Sequence, residues 1–232
     1  MLPPPIHLQP TAPAAERALL PGDPGQALAL AQALLAEPKM FNHSRGLWGY
    51  TGTAADGAAL TIQSTGIGGP SAAVVMEELC DLGVREIVHI GTCAALDAGL
   101  SPGDAVLAEE VFATDGASRA LGAGDRVAPD PALAAALRPA ADHTGLVMSG
   151  DLFYERAPSR LDAGALAADM EAAAILTVAR RRAVRAASLL AVSHTAWNGG
   201  RRLGPEELAA VIERLGEAAT AALAPGRPRS IV

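Results

Sequence analysis

Residues 58–91 read AALTIQSTGIGGPSAAVVMEELCDLGVREIVHIG and decide the fold class. Residues 58–64 alternate enough to predict a strand, and a glycine-rich turn follows them. Residues 70–82 predict a helix, because a Pro-Ser pair opens them and a glycine follows them. Residues 85–91 then predict a short buried strand. This strand–helix–strand order is typical of an α/β protein.

The same alternation continues on both sides of this stretch. Upstream, the Asp56-Gly57 pair predicts a tight turn between a strand at 47–53 and the strand at 58–64. Together the segments predict an α/β sandwich with a mixed central sheet, and a surface loop at 114–130. The remaining predicted helices are 24–36, 130–142, Met170 to about Arg182, and 205–223, and the remaining strands are 104–112, 145–150 and 184–193.

Composition excludes several classes of protein. Half of the 232 residues are apolar, but there are only three Phe, two Trp and two Tyr, so the core is expected to be aliphatic. The net charge of −7 and the lack of a basic stripe argue against a nucleic-acid partner. No apolar run is long enough to span a membrane, and the first residues lack a secretion-signal pattern. Cys80 and Cys93 have no zinc or disulfide spacing. We therefore expect a cytoplasmic protein with reduced thiols and no membrane partner.

Small residues recur where the predicted strands end. In α/β sheets, ligands bind at the carboxyl ends of strands, and glycines there let a ligand approach the backbone N–H groups. Several such segments in one chain predict a composite small-molecule site. They are PGDPG at 21–25, TGIGGPS at 65–71, HIGTCA at 89–94, ADMEAA at 168–173 and AVSHT at 191–195.

Two of these segments carry side chains suited to sugar chemistry. The Glu171 carboxylate, next to Met170, has the acceptors for two hydroxyls of a ribose. His194 titrates near neutrality and is suited to donate a proton to a leaving group. Taken singly, a glutamate at a helix start is more often a partner of the helix dipole, and a histidine after a strand is more often structural.

The order and spacing of the motifs resemble the nucleoside phosphorylase-I family, which includes hexameric purine nucleoside phosphorylases and uridine phosphorylases. The resemblance implies one domain over residues 1–232, with a three-layer α/β/α fold and a mixed, partly barrel-like central sheet. The matching segments are PIH at 5–7, LLPGDP at 19–24, FNHSRGLWGYTG at 41–52, TGIGGPSA at 65–72, the strand and GTC at 87–93, SGDLFY at 149–154, DMEAAA at 169–174 and VSH at 192–194.

The resemblance also implies the reaction and the residues that perform it. Phosphate, the co-substrate, would cleave the N-glycosidic bond of a nucleoside and give a free base and (deoxy)ribose 1-phosphate, with no other cofactor. The implied assembly is a homo-oligomer built from dimers, a hexamer in the family's usual form. The implied phosphate ligands are Gly22, Arg45 and Thr92, with Arg45 from a neighbouring subunit. The implied ribose ligands are His7, also from a neighbour, Met170 and Glu171. The implied base contacts are Phe153, Ser193 and His194, and His194 is the implied catalytic acid.

Three positions depart from the purine enzymes. Gln26 and His89 stand where many members have phosphate-binding arginines, and His194 stands where many have an aspartic acid. Loss of two charged donors would cost roughly 3–6 kcal/mol of phosphate binding, less any contribution from the replacements. We therefore hypothesise a phosphate site that improves below neutral pH as His89 becomes charged.

The base and the nucleophile remain open alternatives. Uridine enzymes usually follow the Phe-Tyr pair with Gln and Arg; here Arg160 is near the expected place, but Pro158 stands where Gln is expected, which favours purines. The altered phosphate site also admits a hydrolytic nucleosidase or a catalytically impaired nucleoside binder. A metal site from His89 and His194 lacks an evident third ligand, so no metal is predicted.

Overall fold

The computed structural model describes residues 5–154, 164–195 and 200–224. Their strands and helices alternate along most of the chain. The strands are β1 (Arg17–Pro21), β2 (Leu35–Asn42), β3 (Gly49–Ala54), β4 (Ala59–Gln63), β5 (Glu86–Ala95), β6 (Ala105–Ala113), β7 (Arg126–Val127), β8 (His143–Ser149), β9 (Ala167–Asp169) and β10 (Arg185–Thr195); the helices are α1 (Pro24–Leu34), α2 (Gly69–Asp81), α3 (Gly116–Ala120), α4 (Pro131–Leu137), α5 (Ala172–Arg182) and α6 (Pro205–Ala222).

The central sheet is mixed and partly closed. The strands β10, β6, β8, β9 and β5 pair in that order, and β10 also pairs with β5, so five strands form a barrel. From β5 the sheet continues through β1, β4, β3 and β2. The strands β4, β1, β5 and β10 are mutually parallel, whereas the β3–β4 and β2–β3 pairs are antiparallel. The predicted partly barrel-like mixed sheet is confirmed.

Helices cover both faces of the sheet. Successive strand residues point to opposite faces, so Leu20 packs with α2 and α5 while Leu19 packs with α1 and α6. Ile87 of β5 likewise joins the first core and Val88 joins the second. Both cores are aliphatic, as the composition indicated, and the predicted three-layer α/β/α arrangement is confirmed. In the described part of the chain, no helix has both the length and the apolar character that a membrane crossing requires.

Some predicted bounds were wrong. The first helix ends at Leu34 rather than 36, and an unpredicted strand, β2, follows it. β2 contains Pro38, which a central strand excludes, but β2 pairs only with β3 at the edge of the sheet. The Asp56-Gly57 turn between β3 and β4 is confirmed, and Gly57 has the positive φ of 80° that favours glycine in such turns.

The segment 114–130 is not a plain loop. It contains α3, which Asp115 caps, and the short strand β7, which pairs with β6. The Ala-rich helix predicted over 130–142 ends as an α-helix at Leu137 and continues as a 3-10 turn through Pro139. Proline lacks the N–H and clashes with the preceding turn, which explains the early end.

Candidate active site

The carboxyl ends of the parallel strands meet at one edge of the sheet. The amide of Thr65, after β4, donates to the carbonyl of Pro21 at the end of β1 (2.9 Å), and the Gly66 amide donates to the Gly22 carbonyl (3.0 Å). On the other side, the Ser193 hydroxyl of β10 donates to the Cys93 carbonyl of β5 (3.1 Å). Four turns that are far apart in sequence therefore line one edge, as the sequence predicted.

Glu171 lies where the second glycine turn meets the start of α5. Its Oε1 accepts a 2.6 Å hydrogen bond from the backbone N–H of Gly68. Gly68 has a φ of 86°, which L side chains rarely adopt, and this conformation directs its amide at the carboxylate. The helix was predicted to begin near Met170 but begins at Ala172, which leaves Glu171 in the position before the first helical residue.

Asp169 and Ser149 hold the start of α5 in place. Asp169 Oδ2 accepts from the amides of Glu171 (3.2 Å) and Ala172 (2.7 Å), and the Ser149 hydroxyl donates to Asp169 Oδ1. Ser149 Oγ in turn accepts from the Ala173 amide (2.9 Å). This buried pair fixes the backbone that carries Glu171. Sequence reasoning did not single out either residue, although an Asp before an Ala-rich helix is a recognised capping signal.

Burial also governs the charge of these carboxyls. It raises the pKa of Asp169, against the lowering effect of the Ser149 hydrogen bond. It raises the pKa of Glu171 too, with the nearby Asp169 charge as the second cause and the Gly68 amide opposing. The two carboxyls together therefore carry less than two full negative charges in the ligand-free protein near neutral pH.

We expect Asp169→Ala to lower the free energy of unfolding by about 2–4 kcal/mol. The change removes the carboxylate that accepts from the Glu171 and Ala172 amides at the start of α5 and leaves these donors unsatisfied. Asp23→Ala is the matched control: Asp23 caps α1 through the Gln26 amide (3.0 Å) but is exposed, so its loss should cost only about 1 kcal/mol. Urea unfolding at one fixed protein concentration measures both, and equal losses would contradict this account of α5.

His89 lies beneath this carboxylate pair and is fully buried. Its Nδ1 is 3.3 Å from the Ser188 hydroxyl, whereas its Nε2 has no hydrogen-bond partner. The ring lies over Gly91, where an added Cβ would come within 2.7 Å of it. Burial lowers the pKa of His89 to about 4. Burial therefore opposes the predicted charging of His89 below neutral pH in the ligand-free protein, and the improvement of the phosphate site at lower pH stays a prediction.

The side chains predicted to contact a base lie near one another. The Phe153 ring is 5.9 Å from the His194 ring, and about half of Phe153 is exposed. Ser193 Oγ is 2.9 Å from His194 Nδ1. Burial lowers the pKa of His194, and the Arg202 charge lowers it further. A half-exposed aromatic ring and an imidazole thus lie next to each other, while Pro158 and Arg160 lie outside the described residues.

The remaining predicted ligands fall into two groups. Gln26 is in the first turn of α1 beside Gly22, and Thr92 and Met170 are partly buried near the strand ends. His7 and Arg45 form the second group, and neither is hydrogen-bonded to Glu171 in the described part of the chain.

The His7 backbone is held at a distance from Glu171 of the same chain. The backbone N–H of His7 donates to Glu78 near the far end of α2, about 15 Å along the helix from Gly68. Arg45 is exposed, has a positive φ of 57°, and makes no hydrogen bond to the described part of the chain. A positive φ at a residue other than glycine stores strain that usually has a functional reason.

Comparison with known proteins identifies the family. Residues 16–224 match the family described as "Phosphorylase superfamily". A guanosine phosphorylase of Halorubrum lacusprofundi is 35% identical over 198 residues, covering 81% of each chain. A DeoD-type purine nucleoside phosphorylase of Alkaliphilus metalliredigens is 32% identical over 206 residues, covering 83% of this chain and 88% of the relative.

The fold has a solved counterpart as well. A uridine phosphorylase of Vibrio fischeri, complexed with 6-hydroxy-1-naphthoic acid, superposes with a TM-score of 0.78 over 90% of each chain, at 24% identity. At that identity the likeness concerns the fold. With the match over residues 16–224, the chain belongs to the phosphorylase superfamily.

Proposed function

We propose that the protein cleaves the N-glycosidic bond of nucleosides, purine nucleosides by preference, with phosphate as the nucleophile. The observation that carries the proposal is the Glu171 carboxylate, fixed at the head of α5 and held by the Gly68 amide at the edge where the glycine turns meet. Relatives at 35% and 32% identity that carry the names guanosine phosphorylase and purine nucleoside phosphorylase support the reaction and the base.

The proposed mechanism assigns each step to residues of this edge. Glu171 and Met170 hold the ribose, while backbone amides around Gly22 and the Thr92 hydroxyl orient phosphate below it. A phosphate oxygen bonds to C1′ of the sugar as the C1′–N bond breaks, and the electron pair leaves with the base. Phosphate stabilises the cation-like sugar, and His194 protonates the departing base, which Phe153 and Ser193 border.

We also propose that each site is completed by a second subunit, within a dimer-based assembly that is hexameric as in the family's usual form. The His7 backbone is bound to Glu78, about 15 Å along α2 from Gly68, and Arg45 is exposed with no hydrogen-bond partner in the described part of the chain; both are therefore available to a neighbouring site. Large apolar side chains are exposed on the same elements, and burial between subunits would remove them from water. They are Ile6, Met40, Trp48, Ile67 and Val74. A cytoplasmic location and the need for no cofactor other than phosphate complete the proposal.

Hydrolysis is a second candidate that one observation favours. His89 is buried and neutral where many family members have an arginine, and Gln26 replaces another. A phosphate site with two fewer positive charges binds phosphate less tightly and admits water more readily as the nucleophile.

A panel of inosine, guanosine, adenosine and uridine, each with and without phosphate, tests these candidates. Phosphate-dependent release of a purine with ribose 1-phosphate supports the proposal, whereas free ribose formed without phosphate supports hydrolysis. Release of uracil alone would reassign the base. Tight binding of a base with no turnover under any condition would mean an impaired homologue.

We expect the advantage of the wild-type enzyme over His194→Asn to grow as pH falls from 8 to 5.5. Only protonated His194 acts as an acid, and its lowered pKa places most of that protonation below about pH 6.5. The ratio of the two kcat values at each pH isolates this group from other titrations that both enzymes share. A ratio that stays constant across the range would remove His194 from the acid role.

A further inference from the structure

Three ligand-type side chains of different chemistry converge beside the helix start. Donor atoms of His89, Asp169 and Glu171 all lie within 4.8 Å of one another. They come from β5, from the end of β9 and from the residue before α5, so only the fold brings them together. His89 is fully buried, Asp169 is nearly so, and Glu171 is partly exposed toward the strand ends.

His89 gives an independent indication that this cluster receives a ligand. A buried polar atom without a partner is costly, and His89 Nε2 is such an atom. Its Nδ1 contacts the Ser188 hydroxyl, and donation along that contact leaves the lone pair of Nε2 free to bind a cation.

The spacing fits a small divalent cation after minor adjustment. Three atoms 4.8 Å apart lie about 2.8 Å from their common centre, so each needs to move by no more than about 0.8 Å to reach the 2.0–2.2 Å of zinc bonds. One nitrogen and two carboxylate oxygens with an open position are a donor set that suits Zn²⁺ or a similar transition metal. A cation would also offset the negative charge of two adjacent carboxylates.

We propose that His89, Asp169 and Glu171 form a binding site for one divalent transition-metal ion. The sequence offered only His89 and His194 as ligands; in the structure Asp169 and Glu171 supply the second and third ligands beside His89, and His194 takes no part. A second part rests on the proposed function: because Glu171 is also the proposed ribose ligand, the ion and a nucleoside would compete for it. The metal would then act as an inhibitor of the same site.

Calorimetric titration of the chelator-treated protein with Zn²⁺ alone tests the site. We expect one Zn²⁺ per chain, at least tenfold weaker binding by His89→Gln, and unchanged binding by His143→Gln. His143 pairs with Asp104 and is partly exposed, which makes it the matched control. Substitution of Co²⁺ adds a spectroscopic readout, since a thiolate ligand from Cys93 gives intense charge-transfer bands that nitrogen and oxygen ligands do not.

Each outcome decides the proposal. Absence of stoichiometric binding, thiolate bands with Co²⁺, or a folded His89→Gln protein that binds Zn²⁺ as the wild type does would overturn it. If His89→Gln does not fold, Glu171→Gln replaces it, because Gln retains an acceptor for the Gly68 amide; unchanged Zn²⁺ binding there is also a refutation. Assays of phosphorolysis in chelator are separate, so failure of the metal site leaves the proposed function standing, and the reverse holds too.

Discussion

Glu171→Gln should reduce kcat/KM for the nucleoside by roughly 10²–10⁴-fold. Glutamine has nearly the same shape and still accepts from the Gly68 amide, so α5 and the glycine turn should keep their positions. The variant loses the negative charge that accepts two ribose hydroxyls, and each charge-assisted hydrogen bond is worth about 1.5–3 kcal/mol. Steady-state kinetics with saturating phosphate, in the presence of a chelator, gives the measurement.

Glu217→Gln is the control for this effect. Glu217 is an exposed glutamate on α6, and the same change of charge there should leave kcat/KM within twofold of the wild type. A Glu171→Gln enzyme that retains more than a tenth of wild-type kcat/KM would remove Glu171 from the ribose site. It would also remove the observation on which the proposed reaction rests.

The second large effect is the recovery of activity when two variants of low activity, Arg45→Ala and Glu171→Gln, are mixed. Arg45→Ala alone should lower kcat/KM for phosphate by roughly 10–150-fold, because a charged donor to phosphate is lost. If Arg45 acts in the neighbouring subunit, a pair made of Arg45→Ala and Glu171→Gln chains has one intact site and one doubly altered site. Random pairing of equal amounts makes half of the pairs mixed, so about a quarter of wild-type activity should return.

The mixture must be allowed to exchange subunits, by co-expression or by joint refolding. Arg138→Ala, which changes an exposed arginine paired with Glu109, replaces Arg45→Ala in the matched control. Arg138→Ala by itself should leave kcat/KM for phosphate nearly unchanged. A mixture of Arg45→Ala and Glu171→Gln that has only the mean activity of its two components would show that each site uses its own Arg45.

Local signals were enough to predict much of the fold. The hairpin at Asp56-Gly57 followed from turn chemistry, and the helix between Gly69 and Asp81 followed from its proline start and glycine end. The strand β2 was not predicted; it contains Pro38, and only the tertiary structure places β2 at the edge of the sheet, where a proline is tolerated. The short strand β9 is three residues long, too few for any periodicity to appear.

The candidate site was also predictable only where local sequence signals pointed to it. Glu171 and His194 were predicted as site residues because they lie beside glycine turns or at strand ends, and because a carboxylate can accept from ribose hydroxyls and an imidazole can donate a proton. Asp169 and Ser149 were missed because their role is to hold a helix start, and their partnership joins positions twenty residues apart. Burial lowers the pKa of His89 and so opposes its expected charging, an effect that the linear sequence did not show because the surroundings of His89 come from other segments.

The sequence by itself determined most of the longer strands and helices, the mainly aliphatic character of both cores and the family to which the motifs point. These properties depend on neighbours a few residues away, and such neighbours are visible in a linear pattern. Only the tertiary structure decided that Glu171 meets Gly68, that His89 is buried beside two carboxylates, and that the His7 backbone is bound to Glu78 of α2. Those facts depend on distances between remote residues and on exclusion of water, and both arise only when the chain has folded.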